Sequence, residues 1–259
     1  MTDNKYKTFF HAAKNGDLET LKKLTDVPAN MQTEDGVTPL MLAARFGKAE
    51  TCKWLIERGA NVNVQDRASH SALTLAISRV TTESNLNTVQ ALLESGANPN
   101  IRNRFAETPI MLAAERANSG SSPATIELLL KHGANPNTQG NDGWTALMSA
   151  CRNSRGESCE EAVKILLERG ADPNIQETIG MTALTLALKF FDDSTENTII
   201  YLLQKGANPN TRTGNGLSPL QLAHMFSTEK IVKLLVKLGA TCSEQDLERT
   251  PELKKYLKN

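Results

Sequence analysis

Apolar positions run along this chain in short helical bursts that come in pairs. One member of each pair is tight and rich in small residues, as in Leu42-Ala43-Ala44 and Leu112-Ala113-Ala114. The other is amphipathic, with apolar residues three and four apart at Ile126, Leu129 and Leu130, or at Val163, Leu166 and Leu167. Such spacing gathers these side chains on one helix face. The small residues let a first helix pack closely against its neighbours, so the pattern predicts stacked helix pairs.

The polar positions punctuate the pairs at a nearly fixed period, which marks an internal repeat. Gly-Ala recurs at Gly59-Ala60, Gly96-Ala97, Gly133-Ala134, Gly170-Ala171, Gly206-Ala207 and Gly239-Ala240. Gly just after a helix is suited to the left-handed C′ position. Five of these pairs run on into Asn61-Val62-Asn63, Asn98-Pro99-Asn100, Asn135-Pro136-Asn137, Asp172-Pro173-Asn174 and Asn208-Pro209-Asn210. These read as turns that carry the chain back to the next pair. Each first helix is announced by a triplet: Thr38-Pro39-Leu40, Ser71-Ala72-Leu73, Thr108-Pro109-Ile110, Thr145-Ala146-Leu147, Thr182-Ala183-Leu184 or Ser218-Pro219-Leu220. Thr or Ser suits the N-cap, and Pro the first helical position.

These triplets and turns resemble the ankyrin repeat family over roughly Phe9 to Gln245. The resemblance implies an all-α solenoid of helix-turn-helix modules joined by β-hairpin-like loops. One continuous domain over 1–259 is expected. Its modules run 5–34, 35–66, 67–103, 104–140, 141–177, 178–213 and 214–246, with 247–259 as a closing segment. Phe9-Phe10-His11-Ala12-Ala13 reads as a degenerate first module without the triplet, which suits a cap whose outer face meets water. Leu247–Tyr256 reads as a short closing helix.

Two departures from the family stand out. Where the family usually has His after the triplet, this chain has Met41, Thr74, Met111, Met148, Thr185 and Gln221. The inter-repeat hydrogen bonds of that His are therefore expected to be missing, with some loss of stability. Second, four modules are lengthened by three or four residues between their helices, at 81–85, 118–123, 154–158 and 192–196. These Ser-, Asn- and Gly-rich segments read as loops, or as an extra helical turn plus a loop. They are either an inheritance of duplication or an additional contact surface.

Charge narrows the function. Twenty-nine basic residues balance twenty-nine acidic ones, so no global field draws the protein to nucleic acid or an anionic membrane. Cys52, Cys151, Cys159 and Cys242 contain no C-x-x-C pair and read as reduced thiols. No signal-peptide core and no apolar run of membrane-spanning length is seen, so the expected location is cytoplasmic, export by a signal-less route aside. No phosphate loop, nucleophile elbow or metal-ligand cluster occurs, and His11, His70, His132 and His224 lie in different modules. The expectation is no enzyme, no cofactor and no metal.

What remains is binding. In the ankyrin arrangement the ends of the first helices and the hairpin tips line one groove, as the resemblance implies. The helix ends carry Arg45, Phe46, Arg79, Arg116, Arg152, Lys189, Phe190 and Phe226. The tips add Arg67, Arg102, Arg104, Phe105, Trp144 and Arg212. Arg and Trp are over-represented at binding hot spots. These residues form a candidate basic, aromatic-dotted surface for a partner protein with an acidic surface or segment. Acidic neighbours such as Glu107 and Glu115 would offset it. The main reading is a non-catalytic protein-interaction module. The alternatives are a stand-alone inhibitor, immunity or effector protein that masks an enzyme and, less supported, a nucleic-acid binder.

Overall fold

The computed structural model describes residues 2–78, 83–116, 122–152 and 157–257. The chain divides into two compact units, Met1–Ala113 with Ser119–Asn135, and Ala114–Asn118 with Pro136–Asn259. The first contains α1 (Thr2–Asn15), α2 (Leu18–Lys23), α3 (Pro39–Arg45), α4 (Ala49–Glu57), α5 (Ala72–Ile77), α6 (Glu83–Glu94), most of α7 (Pro109–Glu115) and α8 (Ser122–Lys131). There α3 packs between α1 and α5, while α6 lies against α4 and α8. The second contains α9 (Ala146–Arg152), α10 (Glu157–Glu168), α11 (Ala183–Lys189), α12 (Glu196–Gln204), α13 (Pro219–Phe226), α14 (Glu229–Lys237) and α15 (Glu244–Arg249). There α11 lies between α9 and α13, and α10 packs on α12.

The N-caps form as the triplets predict. The hydroxyls of Thr38, Ser71, Thr182 and Ser218 accept from the backbone N–H three residues on, at 3.2–3.3 Å. Thr145 does the same for Met148 at 3.3 Å. At Thr108 the Met111 N–H goes to the backbone carbonyl instead, and the hydroxyl is buried without a partner. Each such cap contributes about 1 kcal/mol. Small residues then let the first helices approach: Ala43, Ala44, Ala76, Ala113, Ala150, Ala187 and Ala223 are all buried. The repeated glycines take the C′ position with φ of 85–91°.

The position after the triplet makes its bond within its own module. The reciprocal cap bond survives without His, because other acceptors stand in. Thr74 and Thr185 hydroxyls accept from the N–H of Ser71 and Thr182, and Gln221 Oε1 accepts from that of Ser218. At Met41 and Met111 a thioether takes the bond at 3.4 Å, a weaker acceptor. Gln221 Nε2 also reaches forward to Thr250 Oγ1 at 3.4 Å, so one long-range bond from this position is kept.

The Asn-x-Asn turns do more than turn. The first residue accepts from the N–H two positions on, as Asn98 Oδ1 does from Asn100 and Asp172 Oδ1 from Asn174. The second residue clamps the next module. Asn63 Nδ2 donates to Gly96 O while its Oδ1 accepts from Asn98 N–H. Asn30 and Asn100 repeat this in the first unit. Asn137, Asn174 and Asn210 repeat it in the second. The first position needs only an acceptor, so Asp172 serves. The second needs a donor and an acceptor on one side chain, which among these residue types only the carboxamide supplies.

The hairpin-like loops close without strands. In each, an N–H bonds the carbonyl four residues on, as at Thr33–Val37, Asp66–His70, Asn103–Glu107, Gly140–Trp144, Glu177–Met181 and Thr213–Leu217. The fourth residue of each turn must be left-handed. It is Gly at 36, 143, 180 and 216, but Ser69 (φ 63°) and Ala106 (φ 59°) in the other two. A left-handed Ala costs about 1–2 kcal/mol, partly offset by the smaller entropy of its unfolded chain. Ala106→Gly should therefore stabilise the first unit by about 0.5–1 kcal/mol. A higher urea midpoint with unchanged slope checks this.

Part of the extra length in the long modules is helical. α6 and α10 have 12 residues each, against nine in α4 and α14. The insertion at 192–196 forms a capped 3-10 turn over Asp193–Thr195, where Asp192 Oδ1 accepts from Ser194 N–H. The insertion residues 81–82, 118–121 and 154–156 lie outside the described residues. The closing segment folds as α15 followed by a 3-10 turn at Pro251–Lys255.

Candidate functional site

The predicted site residues fall in both units, and Arg79 lies outside the described residues. In the first unit, Arg45 and Phe46 are exposed at the end of α3, with the Lys14 ammonium 5.0 Å from the Phe46 ring centre. A cleft of about 260 Å³ beside Arg45 is lined by Leu42, Leu75, Asp66 and His70. Its charge is mixed, since Asp66 Oδ2 lies 3.1 Å from His70 Nδ1. Arg67, Arg102 and Arg104 are exposed on the hairpins, and Arg104 stacks 5.0 Å over its neighbour Phe105. The backbone groups of Arg67 and Arg102 are used in packing adjacent hairpins, through Asp35 O and Gln65 Nε2. Glu107 is half-buried and accepts from Asn103 Nδ2, so it belongs to its own turn.

The second unit brings more of the predicted residues into contact. Arg116 is exposed just beyond α7. The Arg152 guanidinium at the end of α9 stands 5.5 Å from the Trp144 ring and 6.0 Å from Phe190 at the end of α11. Lys189 stands 5.7 Å from the same Phe190 ring. This is a cation–aromatic strip in which each ring meets a charge over its π face. Arg152, Lys189 and Phe190 are exposed and Trp144 is half-buried.

Lys189 also lines a cleft of about 640 Å³ that the sequence did not single out. One wall is the hairpin with Thr178, Ile179 and Met181, another the hairpin of Thr213–Leu217, and the floor comes from Leu222, Met225 and Phe226. The two hairpins touch backbone to backbone, with Gly214 N–H donating to Ile179 O at 2.8 Å. Ile179 is 63% exposed, Met225 56% and Phe226 45%. Phe226 is one of the helix-end residues the sequence singled out, and it lines this cleft, whereas Ile179 reads in the sequence as an isolated apolar position.

Arg212 is drawn elsewhere. Its guanidinium donates to both oxygens of Asp246 at 2.8 and 2.5 Å and to Gly216 O. Its role in the structure is to hold α15, and it adds nothing to the strip.

Burial pushes the Cys52 thiol up to about 12 and raises that of Cys151 as well. Such thiols are not the thiolates that nucleophilic chemistry needs. Among the described residues no group of His, Cys, Asp and Glu could hold a metal, and no helix is long and apolar enough to cross a membrane.

Comparison with known proteins shows the family and the fold. The family model for ankyrin repeats matches three times, at residues 9–103, 79–177 and 159–246. Human Rabankyrin-5 is 49% identical over 47 residues, which is 18% of this chain and 4% of that much longer protein. Among solved structures, the human ASB11 ankyrin repeat domain superposes with a TM-score of 0.71 at 26% identity, covering 91% of this chain and 99% of that one. A chain from the complex of a Bdellovibrio bacteriovorus predatory endopeptidase with an immunity protein gives a TM-score of 0.63 at 27% identity. That match covers 77% of this chain and 98% of the other.

Proposed function

Because this chain belongs to the ankyrin repeat family, we propose that it is a non-catalytic protein-binding module whose second unit grips a partner through Arg152 and its aromatic neighbours. The observation that carries this reading is the strip Trp144–Arg152–Phe190–Lys189, two exposed cations held over aromatic rings. Arg and Trp combine apolar area with directed hydrogen bonding, which is why they dominate hot spots. The rings also pre-order the cation, which reduces the entropy lost on binding. A partner with an acidic surface or segment complements the strip. The exposed Arg116 of the same unit forms a secondary contact in this reading.

The immobilised chain should recover its partner from native lysate. The double variant Trp144→Ala/Arg152→Glu should recover at least about tenfold less, as expected for a hot spot above 1.4 kcal/mol. Lys237→Glu, a charge reversal on an exposed residue at the end of α14, is the matched control. Equal recovery by the double variant would remove the basis of the proposal.

A second reading has one observation in its favour, the likeness to a chain of the endopeptidase–immunity protein complex. In it the chain acts by covering a partner enzyme's active site. Assaying the recovered partner with and without the purified chain separates the two readings. Inhibition with one-to-one stoichiometry identifies a masking protein, and unchanged activity identifies a scaffold.

A further inference from the structure

We infer that the cleft between the Thr178–Met181 and Thr213–Leu217 hairpins is the socket for one large apolar side chain of a partner peptide, with an adjacent Asp or Glu of that peptide pairing with Lys189. This deepens the preceding section and rests on its reading of the second unit as a protein-binding surface.

Three observations point to this occupant. The volume of about 640 Å³ falls in the range of pockets that take small ligands and leaves ample room for one large side chain. Its exposed lining is apolar to an unusual degree. Among the described residues eight large hydrophobic side chains are exposed, and Ile179, Met225 and Phe226 of these line the cleft while Phe190 lies next to Lys189. Three of the eight thus collect in one cleft, where scattered singles would need no explanation. Met225 adds a flexible, polarisable wall that adapts to differently shaped apolar side chains.

The charge at the rim chooses the neighbour of that side chain. Among the described residues Lys189 is the one charged residue lining the cleft, and Arg152 continues the positive charge along the strip through Phe190. Glu177, next to Thr178 in the wall, is buried and turned into its own hairpin, where its oxygens accept from the N–H groups of Ile179 and Met181, and Asp192, three residues from Lys189, accepts from Ser194 in its own turn. Glu177 therefore offers no carboxylate to the rim. A peptide whose anchor is flanked by Lys or Arg would meet like charge, so the cleft selects an acidic flank.

The test is a selection of random peptides displayed on phage against the intact, immobilised chain, followed by fluorescence polarisation of the recovered peptides. The expected result is a consensus with Leu, Ile, Met or Phe next to Asp or Glu. Affinity should fall at least tenfold on Met225→Glu, and also on Lys189→Glu. Because either change could disturb folding, each variant is checked by its urea midpoint, and Lys189→Gln should give a smaller, salt-sensitive loss. Peptides that lose affinity on Arg152→Glu but not on Met225→Glu would overturn the socket and leave the broader binding surface standing. Peptides insensitive to all three changes, or a failure to recover any, would overturn both. Concentration-dependent dimerisation of the chain that Met225→Glu abolishes would show a second copy as the occupant and overturn the peptide assignment.

Discussion

Gly180→Ala should destabilise the second unit by about 3 kcal/mol, far more than its single added methyl suggests. Two separate costs meet at this position. Gly180 has φ +76°, in the left-handed region, where a side chain costs about 1–2 kcal/mol. A Cβ there would also lie 2.6 Å from the Gly214 backbone nitrogen, and a backbone atom cannot rotate away. That nitrogen makes the bond to Ile179 O that joins the two hairpins of the cleft. Two other glycines separate the costs. Gly206 has φ +91° with nothing within 4 Å of its Cβ position, so Gly206→Ala should show the backbone cost alone, about 1 kcal/mol. Gly214 lacks a positive φ, but its Cβ would meet Ile179 O at 2.7 Å, so Gly214→Ala should show the collision alone. Urea unfolding of the three variants checks the order. If Gly180→Ala cost no more than Gly206→Ala, the close approach of the hairpins would not exist in solution.

Asp246→Asn should release the C-terminal segment at a cost of about 2 kcal/mol. Asp246 is buried, accepts two bonds from Arg212, and caps α15 through the N–H of Ser243. The Arg212 guanidinium holds its carboxyl down, at about 2. A carboxyl whose folded value lies below its unfolded one stabilises the fold above the unfolded value. Its contribution is therefore complete above about pH 4 and is lost as the pH falls from there through about 2. Wild-type and Asp246→Asn chains should differ by their full amount at pH 6 and converge toward pH 2. The sensitive readout is hydrogen exchange of the α15 amides, since α15 and its 3-10 turn form the edge of the unit. A difference that stayed constant between pH 6 and 2 would mean the carboxylate is not the source.

What the sequence shows readily is what neighbouring residues decide together. The caps at Thr38, Ser71, Thr182 and Ser218 and the left-handed glycines are local events, completed within four residues. The Asn-x-Asn turns were legible as turns for the same reason. Their clamping role was not, because Gly96 and Asn98 lie 33 and 35 residues beyond Asn63. The asymmetry of the motif was the available clue. Asp172 replaces Asn at the first position, whereas the second is Asn in every one of the five pairs. Arg212 shows the opposite hazard. It sits in a hairpin tip like Arg67 and Arg102, but its fate depends on a carboxylate 34 residues away. Likewise the expectation about the usual His position concerned bonds between repeats, and left unread that Thr74, Thr185 and Gln221 accept the cap N–H of their own module. The cleft was the least legible feature. Ile179 and Met225 become a site only when two hairpins and the end of α13 come together.

The central claim is that a partner binds at the Trp144–Arg152–Phe190 strip, and Trp144 reports on that strip directly. The chain has two tryptophans, so Trp54→Phe leaves Trp144 as the sole indole. Titrating the recovered partner into this variant should change Trp144 emission saturably, and adding Arg152→Glu should raise the dissociation constant at least tenfold. An unmoved emission together with an unchanged dissociation constant in Arg152→Glu would contradict the account.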